Sequence, residues 1–166
     1  MTALIRAADE GDDAAIRILL GDAIGPDEAG LVGALREEGV LLDALVACAG
    51  SPSAEPVGYV AASRLTVAGG RASCLAPLAV AAEHRHRGIG RRLAAALVER
   101  RREAGDDVML VLGDPAFYGR LGFSAARARS FRTPWDGPHQ QAIALSEAGR
   151  SLEGAVRYPR AFDGLA

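Results

Sequence analysis

Apolar and polar positions divide the chain into a mixed order of strands and helices. Residues 2–8 read as a short first strand. Residues 12–20 and 27–38 read as helices whose acidic first turns suit a helix N-terminus, with Gly39 as a stop signal. Three apolar strand patterns follow at 41–48, 57–66 and 71–80. They are joined by Gly50-Ser51-Pro52-Ser53 and Ala68-Gly69-Gly70, turn chemistry that favours an antiparallel meander. A helix over 89–104, a strand over 108–112, a short helix over 115–121, a strand starting at Phe123 and a last strand over 140–145 complete the pattern. The tail after Ser146 carries no pattern firm enough to assign. Strand 108–112 is apolar at consecutive positions, as expected where both faces are covered, and the preceding helix is long enough for a parallel crossover.

In the helix after residue 88, Ile89, Leu93, Ala96 and Leu97 form one apolar stripe, while Arg91, Arg92, Glu99, Arg102 and Glu103 fall on the other side. Arg100-Arg101-Arg102 reads as a solvated helix end beside a favourable dipole. Pro77 is out of place in a central strand, because proline has no ladder donor. It predicts a bulge, which lets neighbouring strands diverge and frees main-chain groups of residues 78–80 for a ligand.

Composition narrows the class. At 166 residues, 49% hydrophobic and 24% charged, the sequence predicts one globular domain over residues 1–166, large enough to bury about two thirds of its unfolded surface. No run approaches the ~18 apolar residues of a spanning helix, and Cys48 and Cys74 sit in apolar runs without metal or CxxC spacing. These features predict a cytoplasmic protein with reduced thiols and no membrane partner. A net charge of -2 argues against nucleic acid as a partner, since that function leaves a basic face. All 19 basic residues are arginine, a bias that weakens any reading of each arginine as a phosphate ligand.

The densest chemistry lies in Arg85-His86-Arg87-Gly88-Ile89-Gly90-Arg91-Arg92, between the apolar run 75–80 and the amphipathic helix. Two glycines let the backbone approach a ligand closely, and the first amides of a helix have no intrahelical acceptor. Such a turn cradles an anion, and arginines at 85, 87, 91 and 92 suit one with several phosphates. Glu83-His84-Arg85-His86 lacks the helical spacing of a metal site, so no metal is expected.

Arg85, Gly88 and Gly90 resemble the cofactor signature of the GNAT superfamily of acyl-CoA-dependent N-acetyltransferases. A second block, Phe117-Tyr118-Gly119-Arg120-Leu121-Gly122-Phe123, is similar to that family's tyrosine followed by Gly-Phe. Gly113-Asp114-Pro115-Ala116-Phe117-Tyr118 resembles a segment of predicted bacterial acetyltransferases. The resemblance runs from about Arg71 to Phe123. It implies an α/β (α+β) fold with a mixed, mostly antiparallel sheet of about six to seven strands, about four flanking helices and a bulged, splayed central strand pair.

The same resemblance implies acetyl-CoA as cofactor. Its pyrophosphate would be held across His86, Arg87, Gly88, Ile89, Gly90 and Arg91, with Arg85 closing the turn, and its pantetheine by Leu78 and Val80. The amide near Ala79 would polarise the thioester carbonyl. Tyr118 would protonate the departing thiolate, help worth about 10²–10⁴-fold. The implied reaction is direct acetyl transfer to a primary amine of a small molecule or peptide; a homodimer is compatible with it. The chain has no asparagine to touch pantetheine and no carboxylate over 75–80 or 108–112 to act as base. Glu83, Asp136 and His139 are the alternatives for that role, and none is assigned. Trp135, in the last turn, is a candidate for the acceptor pocket or for a packed anchor. A non-catalytic acyl-CoA sensor is the second functional reading. A nicotinamide enzyme is disfavoured because position 93 is leucine where G-x-G-x-x-G needs glycine.

Overall fold

The computed structural model describes residues 2–163 and 165. The first strand, β1 (Ala3–Ala7), pairs antiparallel with β2 (Leu41–Ala49), and the excursion between them holds α1 (Asp13–Ala23) and α2 (Pro26–Glu37). Strands β2, β3 (Pro56–Val67) and β4 (Gly70–Val80) form the expected meander. Helix α3 (Ile89–Glu103) crosses over so that β5 (Val108–Leu112) runs parallel to β4.

Helix α3 buries its stripe of Ile89, Leu93 and Leu97 against Leu45, Val60 and Met109. Gly58 on β3 makes this approach possible: a Cβ there would fall 2.9 Å from Leu93 Cδ1 and 3.1 Å from Ile89 Cγ2. On the opposite sheet face, Leu20 of α1 and Val32 of α2 cover Val46, Tyr59 and Ala61. Cys48 and Cys74 are buried free thiols.

The solvated reading of the α3 terminus fails at Arg101, which is only 5% exposed. Its Nε donates to Asp106 Oδ2 at 2.8 Å and its guanidinium reaches Asp43 Oδ2 at 2.7 Å, while Arg64 donates to Asp106 Oδ1 at 3.0 Å. Burial by itself raises the Asp106 carboxyl, but its hydrogen bonds from Arg101 and Arg64 bring it below the usual carboxylate range. The cluster ties the end of α3 to β2, β3 and the start of β5.

After β5 the chain forms α4 (Pro115–Gly119), α5 (Ala125–Ala128), β6 (Phe131–Arg132), β7 (Gln140–Ala144) and β8 (Gly154–Arg157). The strand expected from Phe123 does not form. Ser124 makes a single bridge with Ala142 and then caps α5, its Oγ accepting from Arg127 N at 3.1 Å; a capping hydroxyl and an alanine-rich run outweigh the strand pattern. Strand β8 was not anticipated. It pairs with both β3 and β6, giving an eight-stranded sheet among the described residues, with main order β1-β2-β3-β4-β5-β7 and five α-helices. No helix among the described residues is long and apolar enough to cross a membrane.

Candidate active site

The site grows from an interruption in the sheet. Strands β4 and β5 pair only from Ala72↔Val108 to Cys74↔Leu110, after which β5 continues against β7 alone. Between Val60↔Leu78 and Ala62↔Leu75, β4 spends one residue more than β3, which places a bulge at Ala76-Pro77 as Pro77 predicted. Ala81 N donates to Val57 O at 2.8 Å. Because main-chain groups alternate sides along a strand, this bond and the register turn Ala79 toward Tyr59 of β3, and Leu78 and Val80 toward the gap left by β5. The expectation of a free amide near Ala79 is therefore corrected: the groups turned toward the gap are the amides of Leu78 and Val80 and the carbonyl of Leu78, since the Val80 carbonyl accepts from Arg85.

Beyond Val80 the chain makes the expected tight turn. His86 (φ 63°) and Gly88 (φ 80°) adopt left-handed backbone, and the first helical bond is Arg92 N to Gly88 O at 3.1 Å. The six amides from His86 to Arg91 consequently donate to no described residue. Arg85 closes the turn from the side, its Nε donating to Val80 O at 3.1 Å. Arg92 donates to Ala3 O at 2.8 Å, so its guanidinium is committed to β1, while Arg87 and Arg91 stay exposed. Gly90 brings the pieces together: a Cβ there would lie 3.5 Å from Val80 Cγ2 and 3.8 Å from Phe117 Cζ.

Tyr118 is set by its own short helix. Asp114 caps α4, accepting from Ala116 N at 3.0 Å, Pro115 opens the first turn, and Gly122 (φ 101°) turns the chain away after the helix, its N–H donating to Gly119 O at 3.1 Å. Edge-to-face contacts with Phe117 (4.8 Å) and Phe123 (5.7 Å) fix the ring. The residue is 8% exposed, and burial pushes its phenol up to about 12. Its hydroxyl bonds to no described residue, and the side chain lines a cavity of about 280 Å³. That cavity opens between the splayed strands, where Cys74 to Leu78 and Val111-Leu112 form its walls.

The alternatives for a base lie elsewhere. Glu83 and Asp136 are exposed and outside this cavity, and His139 Nδ1 sits 3.2 Å from Gly113 O, also outside it. Instead, Glu28 from the first turn of α2 lines the cavity, a residue with no motif to mark it in the sequence. Trp135 lines it too, stacked edge-to-face on Tyr158 at 4.6 Å, which in turn meets Phe162 at 5.6 Å.

A model described as an acetyltransferase (GNAT) domain matches residues 42–125, the span that holds the splayed strands, the phosphate turn and Tyr118. The chain belongs to the GNAT acetyltransferase family. A relative from Escherichia coli K12, the uncharacterized N-acetyltransferase YhbS, is 34% identical over 96% of this chain and 98% of its own length. The crystal structure of YhbS in complex with CoA superposes with a TM-score of 0.90, covering 100% of this chain and 94% of that one. A Brucella melitensis GNAT acetyltransferase in complex with acetyl-CoA is 27% identical and superposes with a TM-score of 0.80, covering 97% and 98%. In this GNAT chain Glu28, Trp135, Tyr158 and Phe162 all lie outside the matched span, so the far side of the cavity is built from residues that the family model does not describe.

Proposed function

We propose that this GNAT chain is an N-acetyltransferase that takes acetyl-CoA as donor and passes the acetyl group directly to a primary amine in a ternary complex. The observation that carries the reading is convergence: Leu78, whose main-chain groups face the gap, and the unpartnered phenol of Tyr118 line one cavity, and the strand runs on through Val80 to six free amides. The bound CoA and acetyl-CoA of the two relatives support the donor.

The residues fit such a donor. The amides from His86 to Arg91 suit a pyrophosphate, because they point the positive end of α3 and its unsatisfied N–H groups at one place. Leu78 and Val80 offer a strand edge for an amide-containing arm. When bound, acetyl-CoA supplies an activated acyl carbon, whose C–S bond breaks as the C–N bond to the amine forms. Tyr118, a phenol protonated at neutral pH and held so still more firmly by burial, donates its proton to the sulfur that leaves. Of the protons on the incoming ammonium, one stays on the amide nitrogen, one replaces the proton lost by Tyr118, and one passes to solvent. No covalent attachment to the protein is required.

The sensor reading shares the phosphate turn but gives no reason for a phenol held without a partner at the cavity. Thiol release from acetyl-CoA with a panel of amines tests the choice. We expect turnover, reduced about 10²–10⁴-fold in Tyr118→Phe. Unchanged turnover in that variant excludes the phenol as proton donor, and stabilisation by NADH without any by acetyl-CoA overturns the donor assignment.

A further inference from the structure

We infer that the acceptor is a primary amine carried on an apolar, preferentially aromatic body, and that Glu28 receives its ammonium group. The inference rests on the acetyl-transfer reading and specifies its acceptor. Among the described residues, Glu28 is the one charged residue lining the cavity. The ion pair of its helix is made by Arg36 with Asp13, which leaves the Glu28 carboxylate without a hydrogen bond or ion pair to any described residue. Its Oε2 lies 3.3 Å from the position a Cβ on Gly25 would take, so the carboxylate folds over the start of α2. A carboxylate bordered by apolar surface gains most from a cation that brings its own apolar body, because both partners are then shielded from water.

The rest of the wall selects what carries that cation. Trp135, Tyr158 and Phe162 form a chain of edge-to-face rings, and Ile24 and Leu112, 46% and 51% exposed, leave apolar side chains at the lining. Such a surface favours an aromatic or branched aliphatic group. It disfavours two other amine classes. A sugar amine would bury hydroxyls against rings with few hydrogen-bond partners, and a polyamine would bring a second ammonium to a cavity with a single carboxylate among its described residues. Strands β4 and β5 carry no carboxylate, so no second acidic residue enters from the sheet.

Calorimetry on the full chain loaded with CoA tests this with 2-phenylethylamine, 2-phenylethanol and spermidine. We expect 2-phenylethylamine to bind at least about tenfold tighter than spermidine. Glu28→Gln should weaken 2-phenylethylamine at least about tenfold while leaving 2-phenylethanol and CoA unchanged, and Glu28→Asp should restore part of the loss. Equal amine affinity in Glu28→Gln, tighter binding of spermidine, or no amine binding to the wild type each overturns the proposal. Octanoyl-CoA binding at least about tenfold tighter than acetyl-CoA also overturns it, by assigning the apolar space to the donor. Tight binding of 2-phenylethylamine without acetylation would sink the acetyl-transfer reading and leave the pocket assignment standing, whereas acetylation of polar amines alone would do the reverse.

Discussion

Gly113 lies directly against the ring of Tyr118: a Cβ on Gly113 would fall 2.5 Å from Tyr118 Cε2 and 3.1 Å from its Cδ2. No side chain fits there while the tyrosine keeps its place. Gly113→Ala therefore pushes the phenol away from the cavity without touching the phosphate turn. The expected outcome is a fall of about 10²-fold in kcat, the scale associated with a displacement of about 1 Å in a catalytic group. Acetyl-CoA affinity, read by calorimetry, stays within about twofold.

Gly88 tests the other end of the site. Its φ of 80° is in the left-handed region, where a side chain costs about 1–2 kcal/mol, and nothing lies within 4 Å of a Cβ placed there. Strain alone therefore acts in Gly88→Ala. Relaxation of that strain re-aims the amides from His86 to Arg91, so acetyl-CoA binding weakens by about tenfold or more, with a modest loss in thermal stability. A variant that melts earlier yet binds acetyl-CoA normally contradicts the role given to these amides.

The ion cluster at the end of α3 separates two neighbouring arginines. Arg101→Met leaves Asp106, 1% exposed, without its main cation, and breaking a buried pair in this way costs about 3–5 kcal/mol. Arg102→Met removes only a contact with exposed Glu99 and changes stability by less than about 0.5 kcal/mol. Urea denaturation of the two variants distinguishes them, and equal midpoints refute the structural account of Arg101.

Stability should fall at both ends of the pH scale. Burial raises the phenols of Tyr59, Tyr118 and Tyr158, the chain's three tyrosines. Above pH 10 the unfolded chain releases these protons and the folded chain keeps them, so stability declines as pH rises from about 10 toward 12. At the acid end, the hydrogen bond from Arg6 holds Asp12 low and that from Ser146 holds Asp107 low; Asp106 also stays low, despite its burial. Stability is lost there as pH falls through the ordinary carboxylate range toward these lower values. Absorbance at 295 nm gives the direct check: the folded protein shows under about one tenth of its full tyrosinate signal at pH 10.5, and a larger signal before unfolding contradicts the burial of these rings.

The sequence by itself determined the order of elements from β1 to β5, the bulge at Pro77, the phosphate turn at Gly88 and the caps around Tyr118. Each is written in short-range signals: apolar periodicity, the missing N–H of proline, the left-handed freedom of glycine, the capping carboxylate of Asp114. The helix after Ser124 and strand β8 escaped that reading. A capping serine competes with a strand pattern of equal strength, and β8 is stabilised by partners as remote as Thr66 and Val67. Only the tertiary structure decided which of three consecutive arginines is buried, that Ala79 faces β3 while Leu78 and Val80 face the gap, and that Glu28 meets Trp135, Tyr158 and Phe162 around one cavity. Those relationships join residues from different elements, in the case of Glu28 and Trp135 more than a hundred positions apart, and packing, which leaves no periodic mark on any one segment, brings them together.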